Sequence, residues 1–185
     1  MTPVRTRQCP GCKIILPYQD GLEHLLNAGI GRYGIASPEC LTLLQQVTLK
    51  DYECGGHASV DAYAVQHPPH ASTQQILGIS PRLIAASKQS VAIHLLGLYL
   101  RIEKKMSKQA AGIAMQKVLE SGAQLENEQL VPPANLGDIT VVDVAQATTC
   151  NEHLKLTEEW SKSACKAWAV YYPQVQEWYE KYGKT

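Results

Sequence analysis

From residue 38 onward, apolar side chains recur every three or four positions, whereas the first 36 residues show no such period. Ser37-Pro38-Glu39 reads as a cap, a proline at the first helical position and an acid in the first turn. The apolar series Leu41, Leu44, Val47 follows, and the pattern predicts a helix over 38–51. After Gly55-Gly56, residues 58–66 have helical character until Pro68-Pro69 stops them. Ser80-Pro81 opens the longest predicted helix, 82–105. Its inward stripe is Ile84, Ser87, Val91, Leu95, Leu98 and Ile102, with Lys88 and Arg101 toward solvent. Ser107 caps a fourth helix that turns Ile113, Ala114, Val118 and Leu119 inward and ends before Gly122.

A polar connection over 123–137 leads to Thr140-Val141-Val142-Asp143, which fits a capped short helix or, alternatively, a strand over 139–144. A last long helix starts near Asn151 with Leu154, Trp160, Ala164, Ala167, Trp168 and Tyr171 on one stripe. Pro173 bends or restarts it, and Gly183 ends it. Trp160, Trp168 and Trp178 are placed in the core rather than in a ligand stripe. No repeat or heptad array is present, so the fold class expected is mainly α, an irregular helical bundle.

The N-terminal stretch changes that picture. Pro3, Pro10 and Pro17 and five glycines between Gly11 and Gly34 break any regular element, so something other than a hydrophobic core must order it. At 185 residues one core is expected, giving a single domain over 1–185 with an irregular segment over 1–36 and a helical core over 37–185. The 17 basic and 17 acidic side chains cancel, which leaves no general field for nucleic acid or an anionic membrane. Arg5 and Arg7 are followed by no apolar run of the secretory kind, and Val91 to Leu100 is about half the ~20 residues a membrane span needs. A cytoplasmic protein is expected. The chain has no Phe beside nine Tyr and three Trp, which nothing in the sequence explains.

Six cysteines are too few for a disulfide scaffold, so a cluster among them points to metal or redox chemistry. Cys9-Pro10-Gly11-Cys12 has the two-residue spacing with which two thiolates chelate one ion from a tight turn. The other half of a tetrahedral zinc site must come from Cys40, Cys54, His57, His24 or His67. Spacing alone favours Cys54-Gly55-Gly56-His57. Zinc also answers the ordering problem, since closing such a site contributes roughly 10 to 16 kcal/mol of apparent folding free energy in small zinc modules. The competing reading is a dithiol redox catalyst through Cys9 and Cys12, but that motif belongs between a strand and a helix, a context that eight preceding residues do not supply. Cys150 and Cys165 read as ordinary helix residues. The glycine run 29–34 lacks the flanking strand and helix of a phosphate loop.

Helical spacing puts Asp61 one turn after His57, where its carboxylate would accept the second ring N–H of a ligating histidine. His94 lies on the apolar stripe of the long helix and requires a partner, for which Asp61, Gln66 and His67 are candidates. Two roles follow for this group. One is a buried hydrogen-bonded cluster. The other is an open metal site or acid/base pair built from His67 and His94, with Asp61 beside them and His153 contributing from the last helix.

The segments CPGC, SPEC, HASVDAYAVQHPP and QSVAIHLLGLYL, with the Trp-rich final helix, together resemble an uncharacterised bacterial family of unknown function. That resemblance implies Cys40 as the third thiolate and a ligand set of Cys9, Cys12, Cys40 and His57, with Asp61, His67 and His94 as matched positions and Cys54 outside the pattern. The leading functional expectation is a zinc-stabilised helical module that binds a small molecule or a protein partner. The alternatives are a metal-dependent hydrolase at His67 and His94 and a thiol redox protein.

Overall fold

The protein is described by a computed structural model covering residues 5–22, 25, 30–31, 34–56, 59–70, 78–125 and 130–184. Among these residues two hairpins precede seven α-helices. Strand β1 (Thr6–Gln8) pairs antiparallel with β2 (Ile15–Pro17), Arg7 opposite Leu16, and β3 (Ile30–Gly31) pairs with β4 (Gly34–Ile35). The helices are α1 (Pro38–Cys54), α2 (Ser59–Gln66), α3 (Pro81–Ile102), α4 (Lys108–Glu120), α5 (Val141–Ala145), α6 (Cys150–Ala167) and α7 (Tyr172–Trp178).

Each helix start expected from a capping residue is present. Ser37, Ser80, Ser107 and Thr149 accept backbone N–H groups of their first turns through their side chains. Thr140 and Asp143 form a reciprocal capping box, which settles residues 141–145 as helix rather than strand. Helix α1 runs past the expected end at 51 because its stop is Gly55, whose φ of 73° lets its N–H return to the Asp51 and Tyr52 carbonyls. Pro173 restarts the chain. A 3₁₀ turn over Ala169–Tyr171 leads into α7, and a π-helical turn, Tyr179–Gly183, follows it.

Helix α3 is the central element, packed by α2, α4, α6 and α7 and by both strands of the second hairpin. It is also the one described helix with the length and apolar composition of a membrane span, and over half of that apolar window is buried inside the molecule. From Val91 to Leu100 every residue is buried except the half-buried His94. Trp160 and Trp168 are fully buried and Trp178 nearly so, in one apolar cluster that reaches from Cys9 to Trp178. Their polar edges are satisfied. The Trp160 indole N–H donates to Gln66 Oε1 at 2.7 Å, and that of Trp168 to the Val65 carbonyl at 3.1 Å. The Gln66 amide nitrogen donates to the Leu136 and Ile139 carbonyls at 3.0 and 2.8 Å, pinning the irregular connection before α5 to the core.

Three expectations are corrected. Ile113 and Leu119 are exposed, and the buried residues of α4 are Ala111, Ala114 and Val118; Met115 meets α3 at Gly97, and Ala114 lies beside Gly183 of the C-terminal turn. Arg101 does not face solvent; it turns back onto α2 to pair with Asp61. Cys150 is no ordinary helix residue but is disulfide-bonded to Cys54, their Cα atoms 5.3 Å apart, joining the end of α1 to the start of α6. That bond also removes Cys54 from the candidate metal ligands, since a disulfide sulfur has no thiolate to offer.

Candidate metal centre

The first hairpin delivers two sulfurs. Residues 9–14 form its loop, closed by Cys9 N–H donating to the Ile14 carbonyl at 2.8 Å and Lys13 N–H to the Cys9 carbonyl at 3.0 Å. The loop turns tightly enough that Lys13 takes a φ of 64°, and its ammonium caps the Pro10 carbonyl at 2.7 Å. Gly11 lies against the chain beyond α2. A Cβ there would fall 2.1 Å from the Ile35 carbonyl oxygen and 2.8 Å from His67 Cα, so no side chain fits.

The third sulfur comes from the first turn of α1. Ser37 positions it, accepting the Cys40 N–H on its hydroxyl at 3.3 Å, while its own N–H donates to Cys9 Sγ at 3.4 Å. The Cys12 and Cys40 sulfurs are 3.5 Å apart.

The nitrogen belongs to His67, one residue past α2 and held there by Pro68. Its Nδ1 is 2.7 Å from the Tyr63 carbonyl and its ring stacks on Tyr63 with centroids 3.8 Å apart. Its main chain is gripped as well, since the Ile35 N–H donates to the His67 carbonyl at 2.7 Å. With Nδ1–H given to a carbonyl, the lone pair is on Nε2, which is buried without a hydrogen-bond partner beside the thiols.

The donor atoms of Cys9, Cys12, Cys40 and His67 all lie within 4.8 Å of one another. Bonds of about 2.3 Å to sulfur and about 2.0 Å to nitrogen at tetrahedral angles require separations of about 3.5 to 3.8 Å, close to the 3.5 Å between the Cys12 and Cys40 sulfurs. Three soft sulfurs and one imidazole are the donor set that holds zinc in closed structural sites, and the orphaned Nε2 is the atom such an ion would satisfy. The residues therefore fit a metal ion.

The electrostatics of the protein alone already favour charge separation here. Burial works against ionising Cys9, but hydrogen bonds from Cys12 and Cys40 and the charge of His67 bring its thiol well below its ordinary value. Cys40 moves the other way, because its hydrogen bonds to Cys12 and Cys9 keep the proton on it. Burial disfavours the imidazolium of His67, yet the thiolates of Cys12 and Cys9 push its pKa up to about 10. Tyr63 is held neutral by its burial and by the sulfurs. A cation at the centre would replace protons shared among these groups.

Of the other sequence candidates, His24 and His57 are outside the described residues; among the described residues the nitrogen beside the three sulfurs is that of His67. Asp61 binds His94 Nδ1 with one carboxylate oxygen and Arg101 Nη2 with the other, both at 2.7 Å. His94, Gly97 and Arg101 share one face of α3, and a Cβ at Gly97 would fall 2.6 Å from Met115 Sδ of α4. His67 and His94 thus serve separate groups. His153 belongs to a third, paired through Nε2 with Asp51 at 2.7 Å and fully buried.

His67 is the residue that ligand spacing passed over. Its sequence signal is weak but physical: a histidine before Pro-Pro at a helix end, with Tyr63 four residues back to take the second ring nitrogen. No curated protein and no solved structure matches the chain. A match over residues 7–169, spanning the metal-ligand candidates and helices α1 to α6, shows that the chain belongs to the family of unknown function DUF5946.

Proposed function

We propose that this is a zinc-binding helical protein in which zinc is structural, tying the N-terminal hairpin to the helical core, and that the core serves as a binding module for a small molecule or protein partner. The observation that carries the reading is the convergence of Cys9, Cys12, Cys40 and His67 within 4.8 Å. Four protein donors complete a tetrahedral shell and leave no position for water, which is the arrangement of structural rather than hydrolytic zinc. A hydrolytic role at His67 and His94 would need an open metal, and His67 is committed to the closed set. Support for binding comes from an open groove of about 450 Å³ beside α1, lined by Leu41, Leu44, Thr48, Tyr52 and Val60. Tyr52 and Leu49 are largely exposed along it, and apolar surface of this kind suits a partner with an apolar face.

Elemental analysis of the purified chain tests the metal assignment. Wild-type protein should carry one zinc per chain; Cys9→Ser, Cys40→Ser and His67→Ala should lose it, and His57→Ala should keep it. Retention of full metal by His67→Ala with loss in His57→Ala would reverse the choice of fourth ligand. Retention by all four variants would refute the site.

A further inference from the structure

Two features join α1 to α6 at the same place, and only one of them is covalent. Cys54 and Cys150 form the disulfide, while one turn inward on each helix the buried Asp51 and His153 are hydrogen-bonded at 2.7 Å. Asp51 is further held by the Ser59 N–H on its second oxygen, and the neighbouring Lys50 ammonium donates to the Ala147 carbonyl. The helices therefore have non-covalent ties beneath the disulfide.

The two sulfurs are unlike. Cys150 is exposed and is the first residue of α6, where Thr149 caps the helix. Cys54 is half-buried and is the last residue of α1, the negative end of that helix. A helix N-terminus stabilises a thiolate and a C-terminus does not, so in the reduced protein Cys150 is the accessible, reactive sulfur and Cys54 the resolving one. Among the other described cysteines, Cys9, Cys40 and Cys165 are buried and Cys12 is half-buried within the candidate metal centre.

We propose that Cys54–Cys150 is a thiol–disulfide exchange site that reacts with low-molecular-weight thiols and their disulfides through Cys150. In the reducing direction an incoming thiolate attacks Cys150 Sγ, the protein S–S bond breaks, and Cys54 leaves as a thiolate that takes up a proton. A second thiolate then attacks the outer sulfur of the mixed disulfide, releasing the small disulfide and Cys150 thiolate. The protein bond gains two electrons and two protons, and two thiol molecules supply them. The Asp51–His153 pair keeps α1 and α6 in register while the bond is open, so closure returns to the same two cysteines.

The test uses the full chain with its metal content followed throughout. Native protein is incubated with reduced glutathione, quenched with iodoacetamide, and mapped by peptide mass spectrometry, then returned to oxidised glutathione. Expected are alkylation of Cys54 and Cys150 with Cys9, Cys12 and Cys40 untouched, unchanged metal content, and re-formation of the original bond. Cys54→Ser, checked for native circular dichroism, should accumulate a glutathione adduct on Cys150, whereas Cys150→Ser should form none on Cys54. Reduction only after denaturation, failure of oxidised glutathione to close the bond, or an adduct on Cys54 in place of Cys150 would each overturn the proposal.

Discussion

Gly11 shows how much of the candidate metal centre is decided by what a residue lacks. Its Cα rests on the Ile35 carbonyl and the main chain of His67, and those neighbours are backbone, which cannot rotate away as a side-chain tip would. Gly11→Ala should therefore cost about 1 to 3 kcal/mol, in the range of overpacked cores, and should lift the Cys12 sulfur away from the others. Urea unfolding of metal-loaded and chelator-treated protein checks this. The loss should be larger in the loaded form, and an equal loss in both would mean that the glycine serves packing alone. At the same scale the first two thiols were legible, while His67 was one candidate imidazole among several. Cys9 and Cys12 announce themselves by spacing, because chelation from one turn demands it. His67 meets them only after α2 and β4 have brought its backbone to the loop, and no local spacing encodes that meeting.

At the level of elements, the helices were readable because their starts are written in single residues. Ser37, Ser80, Ser107, Thr140 and Thr149 each precede a helix, and Pro38 and Pro81 mark two first turns. The hairpins were not readable. Thr6-Arg7-Gln8 has no alternation of apolar and polar positions, and its pairing with Ile15-Leu16-Pro17 is set by the cysteine loop between them. Face assignment in α4 was right for Ala114 and Val118 and wrong for Ile113 and Leu119, because the side chain that meets α3 at Gly97 is Met115. One side chain links elements that the sequence does not connect. Gln66 holds the Trp160 indole and two carbonyls of the connection ahead of α5. Gln66→Leu keeps the volume but leaves those three groups without partners, so a loss of about 2 to 4 kcal/mol is expected. Thermal unfolding measures it, and amide exchange should rise first at residues 136–139.

For the whole molecule, the described structure has two sources of order that respond to different reagents. The helical core rests on the burial of Leu95, Leu98, Trp160, Trp168 and their neighbours, which no chelator touches. The first hairpin has only Cys9, Gly11 and Leu16 buried, the Arg7 to Glu39 pair, and the metal-ligand candidates. Metal removal should accordingly free residues 5–22 for proteolysis and lower the melting temperature while far-ultraviolet circular dichroism keeps most of its helical signal. Limited proteolysis with and without chelator reads the first effect directly, and a collapse of the helical signal would show that the metal supports the core itself. The division between an irregular N-terminal stretch and a helical remainder was visible in the sequence. The close contact between the two, through His67 and Gly11, was not, because it depends on backbone approaches rather than on residue pattern.

The order of the four donors along the chain has a consequence for synthesis. Cys9, Cys12, Cys40 and His67 have all been made before α3, the helix around which the core is built, begins at Pro81. A growing chain thus presents a complete metal-binding set while most of its hydrophobic partners are still unsynthesised, and a captured ion would shorten the loops that the later helices must close around. Metal supply during translation, rather than after release, would then govern how efficiently the chain reaches its native state.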